Sequence, residues 1–349
     1  MKKSKLSVAL LTACMAATLL AGCGDKKDAT TEATTEATTE AATEAATTTE
    51  ATVADATAPE ADADEDENYE TGDASLDNVR NQDEIGDNEL LVVSFGTSFN
   101  DSRRLTIGAI EDKIDEEFGK DYSVRRGFTS QIIIDHVKRR DGIAIDNMTE
   151  ALDRAVDNGV KNLVIQPTHL MNGLEYTDVV NEVGDYADAF DQVVIGDPLL
   201  TSDEDFDEVV KAITDATAEY DDGETAICFM GHGTEADSNE VYQKMQDKLT
   251  DAGFENYFVG TVEATPSLDD VLAKVQAGDY KKVVLEPLMI VAGDHANNDM
   301  AGDEDGSWKK TFEDAGYDVT CLVRGLGEIP AIQDIFVKHA QAAIDKLNK

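Results

Sequence analysis

From residue 89 onward, short unbroken apolar runs alternate with longer stretches in which apolar residues recur every three or four positions. The runs Leu90-Leu91-Val92-Val93, Leu163-Val164-Ile165, Ile227-Cys228-Phe229-Met230 and Val283-Val284-Leu285 do not alternate with polar residues. Unbroken Val/Ile/Leu runs of this length predict parallel strands covered on both faces. The pattern predicts strands at 89–94, 122–128, 161–166 and 191–196, with helices at 101–117, 130–140, 148–158 and 175–188. A second series follows, with strands at 225–230, 256–261, 282–287 and 317–323 and helices at 238–251, 267–276, 306–315 and 330–347. Residues 197–224 are assigned no element. The fold class is therefore α/β, with two similar half-domains, 89–200 and 201–349, whose parallel sheets face a central cleft.

The two series look like copies of one another. Lys161-Asn162-Leu163-Val164-Ile165-Gln166-Pro167 matches Lys281-Lys282-Val283-Val284-Leu285-Glu286-Pro287, and the same register lays Gly173 over Gly293 and Glu175 over His295. The opening segments match separately, Phe95 over His232 and Gly96 over Gly233. In open α/β sheets ligands bind beyond the carboxyl ends of the strands, so residues just past strand ends are the candidates for chemistry.

Before residue 89 the pattern changes. Lys2, Lys3 and Lys5 precede a short apolar stretch, Leu6 to Leu20, that closes on Leu20-Ala21-Gly22-Cys23. A membrane span needs about 20 apolar residues, so residues 1–22 read as a cleaved lipoprotein signal peptide. Cys23 then carries lipid, and the expected location is the extracytoplasmic face of the cell membrane, lipid-anchored. Residues 23–88 read as a disordered acidic tether. Thr30 to Thr57 holds only Thr, Glu, Ala, Asp and one Val, and residues 60–70 are dense in Asp and Glu. Such a segment has too little to bury to offset the entropy of ordering.

Charge narrows the function. The chain carries 73 acidic and 29 basic residues, a formal net charge of -44. Nucleic-acid binding depends on clustered Lys and Arg, so nucleic acid is excluded as a partner. Cys228 and Cys321 both fall in strand-like runs and read as free thiols, and without a Cys-x-x-Cys pair a thiolate metal site has no support. Arg103, Arg104, Arg125, Arg126 and Arg324 stand out in so acidic a chain; Arg is the usual fork for carboxylates, and some of these are expected to be solvated or paired with neighbouring Asp or Glu.

Only five histidines occur. His232 follows the third unbroken run, in Gly231-His232-Gly233-Thr234, and His295 lies in Gly293-Asp294-His295-Ala296-Asn297-Asn298. Together with Glu175, they offer two imidazoles and a carboxylate at predicted strand ends. That set suits Co²⁺, Fe²⁺, Ni²⁺ or Zn²⁺ better than Mg²⁺ or Ca²⁺, and the same groups can move protons. His169, in Gln166-Pro167-Thr168-His169, is equally a wall residue or a participant. The turns Ser94-Phe95-Gly96-Thr97-Ser98 and Gly233-Thr234 could present N–H groups and hydroxyls to an anionic ligand. The first lacks the third glycine of a dinucleotide fingerprint, and no Gly-Lys-Ser/Thr occurs, so no nucleotide is expected.

Residues 89–347 resemble the anaerobic-type sirohydrochlorin cobaltochelatase family, class II chelatases related to ferrochelatase. The resemblance rests on Leu91–Ser98, Gln166–His169 with Asn172–Tyr176, Met230–Thr234, Ala292–Gly302 and Arg324–Glu328. It implies ATP-independent insertion of Co²⁺ into sirohydrochlorin on the route to cobalamin. It also implies that the family's metal-binding and catalytic glutamate and histidines fall on Glu175, His232 and His295. Sirohydrochlorin or a related tetrapyrrole and a divalent metal are then the partners, and the body is expected as a monomer or small homo-oligomer. The apparent export address raises an alternative, a cell-surface lipoprotein that binds tetrapyrrole, haem or metal for uptake.

Overall fold

The computed structural model describes residues 71–347. The signal-peptide and lipidation readings, and the tether up to residue 70, lie outside the described residues.

The first series comprises β1 (Asn88–Ser94), α1 (Asn100–Arg103), α2 (Ala109–Phe118), β2 (Ser123–Phe128), α3 (Gln131–Asp141), α4 (Met148–Asp157), β3 (Asn162–Pro167), α5 (Leu174–Tyr186) and β4 (Gln192–Ile195). After α6 (Asp203–Thr217) come β5 (Thr225–Gly231), α7 (Glu240–Asp251), β6 (Tyr257–Thr261), α8 (Leu268–Gln276), β7 (Lys282–Pro287), α9 (Trp308–Asp314), β8 (Asp318–Cys321) and α10 (Pro330–Leu347). The strands form two four-stranded sheets in the orders β2-β1-β3-β4 and β6-β5-β7-β8, every pair parallel. The predicted α/β duplication is present strand for strand. Val93 pairs with Pro167 in the first sheet and Met230 with Pro287 in the second. Phe95 and His232 therefore leave their sheets at matching places.

Both faces of each sheet are covered, which is why the strands read as unbroken apolar runs. Leu91 and Val93 face a core closed by α4 and α5, while Leu90 and Val92 face a larger core shared with Ile227, Phe229, α6, α7 and α10. Cys228 and Met230 point to the far side, against Val271 and Trp308. The shared core corrects the division at 200/201. α10 crosses back onto β3, β4 and α2, so residues 330–347 belong spatially to the first sheet. α6, which the sequence reading missed, packs against α7 and α10. Its signals are plain: Ser202 and Asp205 form a reciprocal cap, and Phe206, Val209, Val210 and Ile213 form one buried face.

The tether boundary at residue 88 is also corrected. Residues 71–87 pack along β2 and the start of α1. Ile85 is buried among the apolar residues of α4 and β3, and Gln82 donates to the Val124 carbonyl. A short apolar residue and a few well-placed polar groups suffice to dock the segment, despite its acidic composition.

Candidate metal-binding cleft

In both sheets the chain turns one way after the first strand and the other way after the third, so β1/β3 and β5/β7 flank the topological switch points. The loops leaving these four strands meet. Gly173, ahead of α5, lies beside Ser238, and Gly293 lies beside Thr97. His232 follows β5 directly, and His295 follows β7 in the helical turn that continues as the π-helical Ala296–Met300.

The turn carrying His232 is set by its glycines. Gly233 has φ +92°, and a Cβ there would stand 2.8 Å from the Ala264 amide nitrogen, so both conformation and space require glycine. The Tyr242 hydroxyl accepts the Gly233 N–H at 3.2 Å. The equivalent Gly96, at φ +104°, packs on the Phe128 ring, which a Cβ would strike at 2.6 Å.

Two imidazoles converge at this point. The rings of His232 and His295 meet edge to face with centroids 4.7 Å apart. His232 Nδ1 lies 2.8 Å from the Gly233 carbonyl oxygen. A carbonyl can only accept, so Nδ1 carries the proton and Nε2 keeps its lone pair. His295 Nδ1 lies 2.6 Å from an Asp299 carboxylate oxygen, which likewise fixes the proton on Nδ1. A ligating imidazole held by a carboxylate behind it is the common arrangement around metals.

The third member of the cluster is Glu263, which the sequence reading missed. Candidate ligand atoms of His232, Glu263 and His295 all lie within 4.8 Å of one another, and Glu263 Oε1 is 3.7 Å from His232 Nε2. Its position follows from the parallel register of β5 and β6. That pairing runs on past the strand ends, so the Glu263 N–H donates to the His232 carbonyl at 2.9 Å. Only knowledge that these two strands are neighbours could have revealed it.

Glu175 is not one of the three. It sits in the first turn of α5 and lines a cleft of about 290 Å³ with Phe95, Gln131, Asn147, Asp178 and Glu182. It is accessible from solvent, yet the cleft walls withhold enough water to raise its carboxyl above the usual range. The His232 imidazole works against that rise and the Asp178 carboxylate adds to it. The site thus offers a ligand cluster and, near His232, a carboxylate of raised proton affinity.

The remaining sequence candidates mostly build the walls. Ser94 and Thr168 hydroxyls bond each other at 2.6 Å, buried, and tie β1 to β3. Thr97 is buried and its hydroxyl accepts the Phe99 N–H, and that of Thr234 accepts the Ala236 N–H. These hydroxyls each make a contact within the turns or between the strands. Ser98 gives its carbonyl to Arg140. His169 is 6% exposed and neither ring nitrogen has a protein partner. Burial pulls its pKa down to about 4, so it is a neutral residue in the wall.

Three of the five arginines noted in the sequence serve the interior. Arg103, Arg125 and Arg126 are fully buried and paired with Asp77, Glu89, Asp146 and Glu111. Arg324 pairs with Glu286 and Arg104 with Asp101. A buried guanidinium needs a carboxylate beside it, which engages Arg103, Arg125 and Arg126 within the fold, while Arg324 and Arg104 stay partly exposed. Cys228 and Cys321 are free thiols, as expected.

Comparison with known proteins shows the family. Residues 88–345 match the family model described as cobalt chelatase (CbiK). The chain belongs to the cobalt chelatase family. It is 38% identical over 256 residues to the sirohydrochlorin cobaltochelatase of Salmonella typhimurium, covering 73% of this chain and 96% of that protein. It is 29% identical over 281 residues to the sirohydrochlorin cobaltochelatase CbiKC of Nitratidesulfovibrio vulgaris, covering 78% and 97%. Among solved structures, SirB from Bacillus subtilis with Fe³⁺ superposes with a TM-score of 0.55 at 13% identity, over 75% of this chain and 98% of that one. SirB from Bacillus subtilis subspecies spizizenii in complex with cobalt gives 0.51 at 14% identity, over 75% and 97%. These two similarities establish a shared fold.

Proposed function

We infer that this protein is a metallochelatase that inserts Co²⁺ into sirohydrochlorin without a nucleotide. The observation that carries this reading is the converging set of His232, His295 and Glu263, with both imidazole Nε2 lone pairs free, in a member of the cobalt chelatase family. The substrate cation is gathered by the two Nε2 atoms and the Glu263 carboxylate. Three ligands leave coordination positions open, so water can be exchanged stepwise for ring nitrogens. Two pyrrole N–H protons must leave as the metal enters. Glu175, whose carboxylate feels the His232 imidazole and whose proton affinity is raised, accepts one of them, and an imidazole Nε2 freed as the metal passes to the ring accepts the other. Fe²⁺ and Ni²⁺ suit the same ligands, so the choice of Co²⁺ rests on the relatives.

The test is anaerobic incubation of catalytic amounts of the full chain with sirohydrochlorin and excess Co²⁺, followed by absorption. Many product molecules per protein molecule support the reading. A single stoichiometric complex that never turns over refutes it and supports the uptake-protein alternative, whose motive is the amino-terminal address. We also propose that Cys23 is lipidated and holds the body outside the cytoplasmic membrane. The basic start, the apolar stretch and Leu-Ala-Gly-Cys support this. Cys23→Ala should release the protein from the membrane fraction, and unchanged partitioning would refute the anchor.

A further inference from the structure

The segment ahead of the family-matched body ends in a buried charge. Asp77 lies only 11 residues before β1 and outside residues 88–345, yet its side chain is 1% exposed. One oxygen accepts from Arg103 Nε at 2.7 Å and from Arg126 Nη1 at 2.7 Å, and the other from Arg126 Nη2 at 3.0 Å. Arg126 is also held by Glu111. Without Asp77, Arg103 would lose its ion-pair carboxylate and Arg126 would keep Glu111. A segment outside the body thus completes the body's charge balance.

Arg103 connects that charge to the cleft. Its Nη1 donates to the Thr97 carbonyl at 3.2 Å, inside the turn that follows β1. Thr97 packs against Gly293, where a Cβ would come within 3.3 Å of the Thr97 hydroxyl. One turn further along, the Ser102 hydroxyl accepts the Ala292 N–H at 2.9 Å. Ala292 and Gly293 immediately precede the turn that carries His295. The same segment is docked again at its start, where the Thr71 carbonyl accepts the Asp101 N–H at 2.7 Å. Gly72, at φ +97°, lies so close to the Asp101 carboxyl that a Cβ would overlap it at 2.2 Å.

We propose that residues 71–87 are a clasp that positions the His295 loop against the first strand-end turn, with Asp77 as its positioning residue. Asp77 touches neither metal nor macrocycle. It holds Arg103 in place, Arg103 holds Thr97, and Thr97 with Ser102 sets the seat of the loop. The proposal rests on the reading that His295 binds the substrate metal.

The test uses the full chain. Co²⁺ affinity is measured without macrocycle, and KM for Co²⁺ and kcat are measured separately, all below the melting transition. Displacing a support behind a ligand typically costs 10- to 100-fold in metal affinity. Asp77→Asn is expected to weaken Co²⁺ binding by about tenfold, the low end of that range because Asp77 acts through two intermediaries, and to raise KM for Co²⁺ more than it lowers kcat. Gly72→Ala, which disturbs the clasp without altering charge, should shift affinity in the same direction. Asp83→Asn, in the same segment but exposed and paired with Arg154 away from Arg103, should leave it unchanged. If Asp77→Asn melts earlier but binds Co²⁺ like the unaltered chain, the segment is a structural brace and the proposal is wrong. If that variant does not fold, Gly72→Ala decides alone, and unaltered affinity overturns the clasp. Failure of the unaltered chain to bind or insert Co²⁺ would overturn the chelatase reading and this inference with it. A normal Asp77→Asn beside a defective His295→Ala removes the clasp only.

Discussion

Asp299 sets which nitrogen of His295 faces the cation, because a carboxylate 2.6 Å from Nδ1 holds the proton there. Asp299→Asn keeps the shape but can no longer draw the proton to Nδ1 as strongly, and Co²⁺ affinity should fall roughly 10- to 100-fold. Equilibrium Co²⁺ titration checks this. His169 gives a prediction about stability. The fold holds it neutral with a pKa of about 4, whereas an unfolded histidine titrates near 6.5. Between those values the unfolded chain binds more protons, so stability falls as pH drops through that window, by up to about 3 kcal/mol. Urea unfolding at pH 7 and pH 4.5 should show His169→Asn losing markedly less stability than the unaltered chain; equal losses would contradict a buried neutral imidazole. At this scale His232 and His295 were legible because each sits in a distinctive run after a strand. Glu263 was not, since Thr-Val-Glu-Ala carries no motif and its place beside His232 depends on strand order. Whether the arginines face a ligand or the fold's own carboxylates was open for a related reason: sequence shows charge, not where its counter-charge lies.

The strands were legible because burial on both faces writes itself as unbroken apolar runs, and the duplication followed from matching two such runs. α6 was equally legible from its cap and its 206/209/210/213 face, and it follows β4 as α10 follows β8. The return of α10 to the first sheet could not be read, because periodicity reports a buried face and not what buries it. That return is an energetic lock. Phe336 is fully buried in the core shared by both halves, and His339 Nε2 lies 2.9 Å from an Asp205 oxygen of α6 while Nδ1 lies 3.0 Å from the Asp197 carbonyl. Phe336→Ala should cost about 3–5 kcal/mol and unfold both halves in one transition, as read by calorimetry. Two separated transitions would show that the halves hold independently.

For the molecule as a whole, a net charge of -44 meets a substrate expected to carry several carboxylates, and the buried arginines do little to invite it. Long-range repulsion should slow encounter, and salt screens it over about 10 Å at 0.1 M. Raising ionic strength from about 0.02 to 0.2 M should therefore increase kcat/KM for the macrocycle; a decrease would reveal an attractive surface not apparent in the charge count. The central claim is that His232, His295 and Glu263 gather the metal that the cleft delivers. Its most direct test is the initial rate of Co²⁺ insertion into sirohydrochlorin against Co²⁺ concentration for the full chain and for His232→Ala, His295→Ala and Glu263→Gln. The account predicts rapid saturable turnover by the unaltered chain, near-background rates for both histidine variants, and a raised KM for Co²⁺ in Glu263→Gln. Histidine variants that insert Co²⁺ at the unaltered rate when metal is limiting would contradict it.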